Sequence, residues 1–187
     1  MEPVRNDPQL GPLVEAHGDL SIGTADDEFE RLLVAIVNQQ LSVDSAAAIR
    51  ERLFERVDVS PAGILAADES TLRDAGLSGQ KVEYVRNVAE AFQERDLTRA
   101  GLSDESDEAV IEALTDIRGV GVWTAKMYLV FVLGRPDVFP VEDLGVRKGM
   151  AHLYGYDEAD RAGMREHAER WRPYRSYASR YLWRATD

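Results

Sequence analysis

Gly119 and Gly121 lie two apart in residues 114–131, LTDIRGVGVWTAKMYLVF, where they interrupt a helical pattern. The chemistry open to them is the binding of an anion. A helix start leaves backbone N–H groups unpaired and carries the positive end of the helix dipole. Glycine removes the side chain that would hold a phosphate or its counterion away from the backbone. Ile117, Arg118, Gly119, Val120 and Gly121 before an apolar helix are therefore a candidate phosphate site, with Thr124 and Lys126 just beyond. A tight turn between two packed helices accounts for the same residues, and the glycine pair alone does not separate the two readings.

Other chemistry is sparse. Glu142 and Asp143 are adjacent carboxylates ahead of a helical segment, LGVRKG, and by their position alone either reads as its N-cap. Trp123 and Trp183 lie on apolar helical segments, where an isolated tryptophan reads as core. The chain has no cysteine, which excludes disulfides, thiolate zinc sites, cysteine nucleophiles and cysteine-ligated iron–sulfur clusters. His17, His152 and His167 lack metal-ligand spacing.

These residues must be positioned by helices, because the hydrophobic pattern is helical and no run of period-two alternation appears. Thr24 or Asp26 is expected to cap a helix through residue 38 carrying Phe29, Leu32, Leu33, Ile36 and Val37. Ser42 and Ser106 are expected to cap helices, and Pro61 to occupy the first turn of a short one. Further helices are predicted in DESTLRDAG (68–76), stopped by Gly76, in LSGQKVEYVRNVAEAFQERD (77–96), and at about 123–132, 143–153, 157–171 and 174–184. The fold class expected is all-α with about nine or ten helices. The 187 residues suffice for one domain, or one domain in two lobes. No signal peptide or membrane span is expected, so the expectation is a soluble cytoplasmic protein with no membrane partner.

Net charge is −12, which as a whole argues against a nucleic-acid partner. The distribution argues differently. Residues 116–187 hold 12 basic and 10 acidic residues, and residues 1–115 hold 10 and 24. The acidic remainder reads as a solvating surface or an adaptation to salt.

Five segments in order, AIVNQQLSVDSAAAI (35–49), GLSGQKVEYVRNVA (76–89), the glycine turn, DVFPVEDLGVRKG (137–149) and AERWRPYRSYASRYLW (168–183), give the chain its resemblance to a family. It resembles the type II 3-methyladenine DNA glycosylases of the helix-hairpin-helix superfamily over roughly residues 17–184. Two departures stand out. The chain is too short at its start for the N-terminal β domain of some members. Arg118 stands where proline often precedes the first hairpin glycine, which loosens the turn and adds positive charge.

The resemblance implies one catalytic domain over residues 1–187, with one lobe at about 42–133 and another at about 1–41 plus 134–187. It implies a base-excision glycosylase that flips an alkylated purine, 3-methyladenine or 7-methylguanine, out of double-stranded DNA, hydrolyses its N-glycosidic bond and leaves an abasic site. Asp143 takes the catalytic role, with Glu142 as the neighbouring alternative. Trp123, Trp183, Met127 and Leu144 fall at base-pocket positions, the last two where relatives carry aromatics. Ile117, Arg118, Gly119, Val120, Gly121, Thr124 and Lys126 form the DNA-binding hairpin. Gln39, Gln40, Leu41 and Ser42 form the turn that fills the gap left by the flipped base, with Gln40 or Leu41 as wedge. GLSGQK is expected to add backbone and Lys81 contacts to phosphate, or to be a solvated helix start. Relatives that also cut the strand carry a lysine two residues after the second hairpin glycine. Trp123 stands there, so no lyase step is expected. No cofactor is required, and a sodium or potassium ion is implied at the carbonyls of Thr115, Ile117 and Val120. The molecule is expected to be a monomer. Three alternatives stay open: another base (hypoxanthine, uracil or mismatched adenine), a non-catalytic DNA-binding protein, and a helical interaction protein.

Overall fold

The computed structural model describes residues 1–186, and Val43 by its backbone only. Among the described residues the chain is helix and turn without a strand. The helices are α1 (Glu2–Arg5), α2 (Leu10–His17), α3 (Glu28–Asn38), α4 (Val43–Arg56), α5 (Pro61–Ala66), α6 (Glu69–Asp74), α7 (Gly79–Glu94), α8 (Asp107–Thr115), α9 (Val122–Phe131), α10 (Leu144–Tyr154), α11 (Arg161–Ala168) and α12 (Arg175–Arg184), with a 3-10 turn at Glu169–Trp171. No helix among them is long and apolar enough to cross a membrane.

Local chemistry sets most helix starts. Ser42, Ser60, Ser78 and Ser106 each accept a hydrogen bond from the backbone N–H three residues on, and Asp143 and Asp160 do the same. Each cap satisfies one N–H that the helix itself leaves unpaired. The α3 cap is Asp27, whose Oδ1 accepts from Glu30 N at 2.7 Å, and neither Thr24 nor Asp26 takes that role. Pro61 occupies the first turn of α5 as the sequence requires.

Helices α1 and α2 were not legible in the sequence. Pro3, Pro8, Gly11 and Pro12 break the helical pattern there, and α1 has only four residues. Burial of Val4, Leu10 and Val14 holds both helices, together with the Asp7 carboxylate. That carboxylate accepts from Trp171 Nε1 at 2.9 Å, Tyr154 Oη at 2.6 Å and the backbone of Gln9 and Leu10.

The chain divides into two compact units, residues 25–128 and residues 1–24 with 129–187. The expected boundaries at 42 and 133 therefore move. Residues 25–41 join the central unit because α3 packs against α4 and α7. The second boundary falls inside α9, which is apolar on all sides. In the central unit, α7 also packs against α5 and α6, and Phe29 meets Phe92 edge to face with centroids 5.4 Å apart. In the other unit, the core gathers Val4, Leu10, Val141, Val146, Met150, Met164, Trp171, Tyr181 and Leu182.

Candidate functional site

The glycine turn forms in the central unit. α8 ends at Thr115, and the Val120 N–H donates to the Ile117 carbonyl at 2.9 Å to close the turn. Gly121 O accepts from Ala125 N at 3.0 Å and so begins α9. The two glycines serve different ends. Gly119 has φ of +107°, and a Cβ there would lie 2.4 Å from Tyr84 Cγ, so the fold itself demands glycine. Gly121 has no such φ and nothing within 4 Å of an added Cβ. Nothing in the protein requires glycine at 121, which is what close approach by an external group would leave behind.

The hairpin side chains sort by burial. Ile117, Val120 and Thr124 are buried, so only their backbones can meet a ligand. Arg118 is exposed and ion-paired with Glu83, while its carbonyl accepts from Asn87 Nδ2 at 3.1 Å. Lys126 and Trp123 are half-buried and Met127 is buried.

The turn Gln39–Gln40–Leu41 lies against the hairpin within the same unit. Gln39 Nε2 donates to the Gly119 carbonyl at 3.0 Å. Gln40 holds a left-handed backbone, φ +56°, and Leu41 is 38% exposed. Ser42 caps α4. A groove of about 410 Å³ is lined by Gln39, Gln40, Leu41, Lys81, Tyr84 and Gly119, among others. Lys81 makes a contact the sequence did not indicate. Its Nζ donates to Val37 O at 2.6 Å and Gln39 O at 2.7 Å, and burial lowers its pKa. In this structure the ammonium serves as a cap on the last carbonyls of α3.

Asp143 and Trp183 meet in the other unit. Asp143 Oδ1 accepts from Val146 N at 2.9 Å and from the Trp183 indole N–H at 2.7 Å. The cap reading and the site reading of Asp143 are thus compatible, since one carboxylate oxygen anchors the helix and the tryptophan together. Gly145 leaves room for this pairing, because a Cβ there would lie 2.7 Å from Trp183 Cδ1. Glu142 points elsewhere, with its side chain paired to Arg165 at 3.4 Å. Arg147 braces the approach to Asp143 by donating to the carbonyls of Val141 (3.2 Å) and Glu142 (2.7 Å). The preceding loop is tied to α12, as Val138 N donates to Ser176 Oγ at 2.9 Å and Arg175 Nε to Asp137 Oδ1 at 2.7 Å. Leu144 is 49% exposed beside Asp143.

Trp183 also stacks on Phe131, with centroids 5.7 Å apart and planes 23° apart. The Arg180 guanidinium lies 5.3 Å from the Phe131 ring and 6.0 Å from the Trp183 ring. Neither Phe131 nor Arg180 was singled out by the sequence. Arg180 stands three residues before Trp183 on α12, the spacing that places two side chains on one helix face, and that was the only available signal.

Residues 33–173 match the model of the HhH-GPD superfamily base excision DNA repair proteins. A Bacillus subtilis relative is 31% identical over 95% of this chain, which spans 66% of that protein's length. DNA-3-methyladenine glycosylase 1 of Schizosaccharomyces pombe is 32% identical over 86% of this chain and 73% of its own length. The solved structure of the S. pombe 3-methyladenine DNA glycosylase in complex with abasic DNA is similar with a TM-score of 0.86, at 29% identity, over 98% of this chain and 94% of that one.

Proposed function

We propose a reaction from one premise: the chain belongs to the HhH-GPD superfamily of base excision DNA repair proteins. It is a DNA glycosylase that binds duplex DNA, and its substrates are alkylated purines such as 3-methyladenine and 7-methylguanine. The S. pombe relative named for 3-methyladenine supports that substrate class. The observation that carries the chemistry is the Asp143 carboxylate, fixed by the Val146 N–H and the Trp183 indole N–H.

The damaged nucleotide leaves the stack, because the duplex shields its sugar carbon. As the bond from C1′ to the base nitrogen breaks, its electron pair leaves with the base and the sugar becomes cation-like. Asp143 stabilises that cation. Water then adds to C1′ and gives its proton to Asp143 or to solvent, leaving an abasic site. A purine alkylated at N3 or N7 is already cationic and departs neutral, so no acid has to protonate it. The hairpin backbone around Gly119 and Gly121 grips phosphate, Gln40 or Leu41 fills the vacated space, and the molecule acts as a monomer. Trp123 has no amine, so no Schiff base forms there and the strand is not cut.

Carbonyl oxygens are hard donors suited to a sodium or potassium ion. Those of Thr115, Ile117 and Val120 would hold it. The Ile117 carbonyl already accepts from Val120 N, and its second lone pair would be available to such an ion. The ion would add positive charge beside a bound phosphate.

Excision of a neutral base such as hypoxanthine is a second reading, favoured by the Arg180 cation beside Phe131 and Trp183. A fixed positive charge there disfavours a cationic ring.

The test is release of free base from DNA carrying 3-methyladenine, 7-methylguanine, hypoxanthine, ethenoadenine or uracil. Asp143→Asn should cut the rate by about 100-fold or more, as loss of one transition-state electrostatic partner typically does, with DNA affinity within about threefold. Borohydride should trap no covalent complex. Retained activity in Asp143→Asn with loss in Glu142→Gln would move the catalytic role to Glu142.

A further inference from the structure

We propose that Lys81 is a positioning residue for the turn Gln39–Leu41, and that one turn of α7 braces this segment and the glycine hairpin together. The inference rests on the reading of Gln40 or Leu41 as the wedge.

The turn is difficult to hold by local means. α3 stops at Asn38 and leaves its last carbonyls without helical partners. Helices often end there on a glycine in the left-handed region. Here that region is taken by Gln40 at φ +56°, a conformation costly for a residue with a Cβ. Something beyond the turn must hold it, and Lys81 is placed to do so. Its ammonium donates to Val37 O and Gln39 O at 2.6 and 2.7 Å, from the first turn of a helix forty residues away. A cation at a helix C-terminus also meets the negative end of the dipole.

The same turn of α7 reaches the hairpin. Tyr84 lies over Gly119, and Gln80 Nε2 donates to Tyr84 Oη at 2.7 Å. Gln39, whose carbonyl Lys81 holds, donates its own amide to Gly119 O at 3.0 Å. Gln80, Lys81 and Tyr84 therefore fix both walls of the groove between the turn and the hairpin. The consequence is a shared frame. The residue entering the duplex and the backbone gripping phosphate keep a set spacing, so phosphate binding presents Leu41 at the right depth. Without Lys81, two carbonyls lose their charged donor and the turn samples other shapes, while the phosphate grip persists.

The experiment compares wild type, Lys81→Met and Lys81→Arg on duplex DNA with 2-aminopurine beside a lesion, whose fluorescence reports flipping, and on undamaged duplex for affinity. Lys81→Met should lose about tenfold or more in the flipping equilibrium, since charge-assisted hydrogen bonds to two carbonyls are removed. Its affinity for undamaged duplex should stay within about twofold of wild type. Lys81→Arg keeps a cationic double donor and should recover most of the flipping. Unchanged flipping in Lys81→Met, or an arginine variant as defective as the methionine one, overturns the proposal. So does a matching loss of undamaged-DNA affinity, which would make Lys81 a phosphate contact. Leu41→Ala and Gln40→Ala keep the two readings apart. If both flip normally, the wedge assignment has failed. If either is defective and Lys81→Met is not, only the role of Lys81 has failed.

Discussion

The Asp143 carboxylate has three tasks at once. It caps α10 through Val146 N, takes the Trp183 indole proton, and faces the sugar in the proposed reaction. Trp183 consequently has two separable roles, a donor to Asp143 and an aromatic face paired with Phe131. Trp183→Phe keeps a ring and removes the donor. A net hydrogen bond to a charged group contributes about 1.5–3 kcal/mol, so losing its hold on the carboxylate should lower single-turnover excision by about tenfold or more. The loss should be equal for cationic 7-methylguanine and for any neutral base the enzyme cuts, because Asp143 acts on the sugar common to both. A loss confined to the cationic base would instead assign Trp183 to charge selection through its ring.

The two hairpin glycines answer to different constraints. Gly119 is dictated by Tyr84 and by its positive φ, whereas Gly121 meets nothing in the protein. Gly121→Ala should fold with a melting temperature close to wild type, because a Cβ has room there. It should nonetheless weaken damaged and undamaged duplex alike, since backbone phosphate contacts position without reading sequence. Gly119→Ala should lower stability first, as Tyr84 must move, and any loss of DNA affinity follows from that. Equal melting temperatures for the two variants would contradict this division, as would a Gly121→Ala defect confined to damaged DNA. GLSGQK shows the same dependence on partners outside the motif. A lysine in the first turn of a helix looks available for phosphate, and no local signal reveals that Lys81 caps α3 from forty residues away.

Charge at the scale of the molecule follows the two units. Residues 25–128 hold 21 acidic and 11 basic residues, while residues 1–24 with 129–187 hold 13 and 11. The hairpin thus sits in the more acidic unit, and the proposed grip on phosphate would draw on oriented backbone N–H groups and local cations rather than on net charge. Stability carries its own pH signature. Burial alone would raise the Asp7 pKa, but hydrogen bonds from Tyr154, Trp171, Gln9 and Leu10 outweigh it and leave the carboxyl below the ordinary aspartate value. Burial, then Arg170, lowers the His167 pKa against a smaller opposing pull from Asp7. Both folded values lie below the unfolded ones, so both contributions are full above the unfolded pKa and disappear as pH falls through the folded one. The melting temperature should therefore drop in two stages, first below about pH 6.5, where the unfolded chain protonates this histidine ahead of the folded one, and then below about pH 4, where the same holds for Asp7. His167→Gln should flatten the first stage. Asp7→Ala should cost about 2–4 kcal/mol at neutral pH, because the Tyr154 and Trp171 donors lose their acceptor. A melting temperature constant from pH 7 to 5 in the wild type would remove His167 from this account.

Much of this protein is written locally. Serine caps, the proline of α5, the apolar spacing of α3 and α7 and the order of five segments sufficed for an all-α fold of the right family, because caps and periodicity act within a few residues. The tertiary structure decided the rest. Residues 2–5 and 10–17 are helical because Val4, Leu10, Val14 and Asp7 find partners more than a hundred residues away, against a local pattern full of proline. The division of the chain follows the packing of α3 on α7, which no boundary in composition marks. The Trp183 indole reaches Asp143 across forty residues, and Lys81 reaches Gln39 across forty-two. Such contacts join side chains remote in sequence, and a single sequence carries no periodicity or spacing from which they can be read.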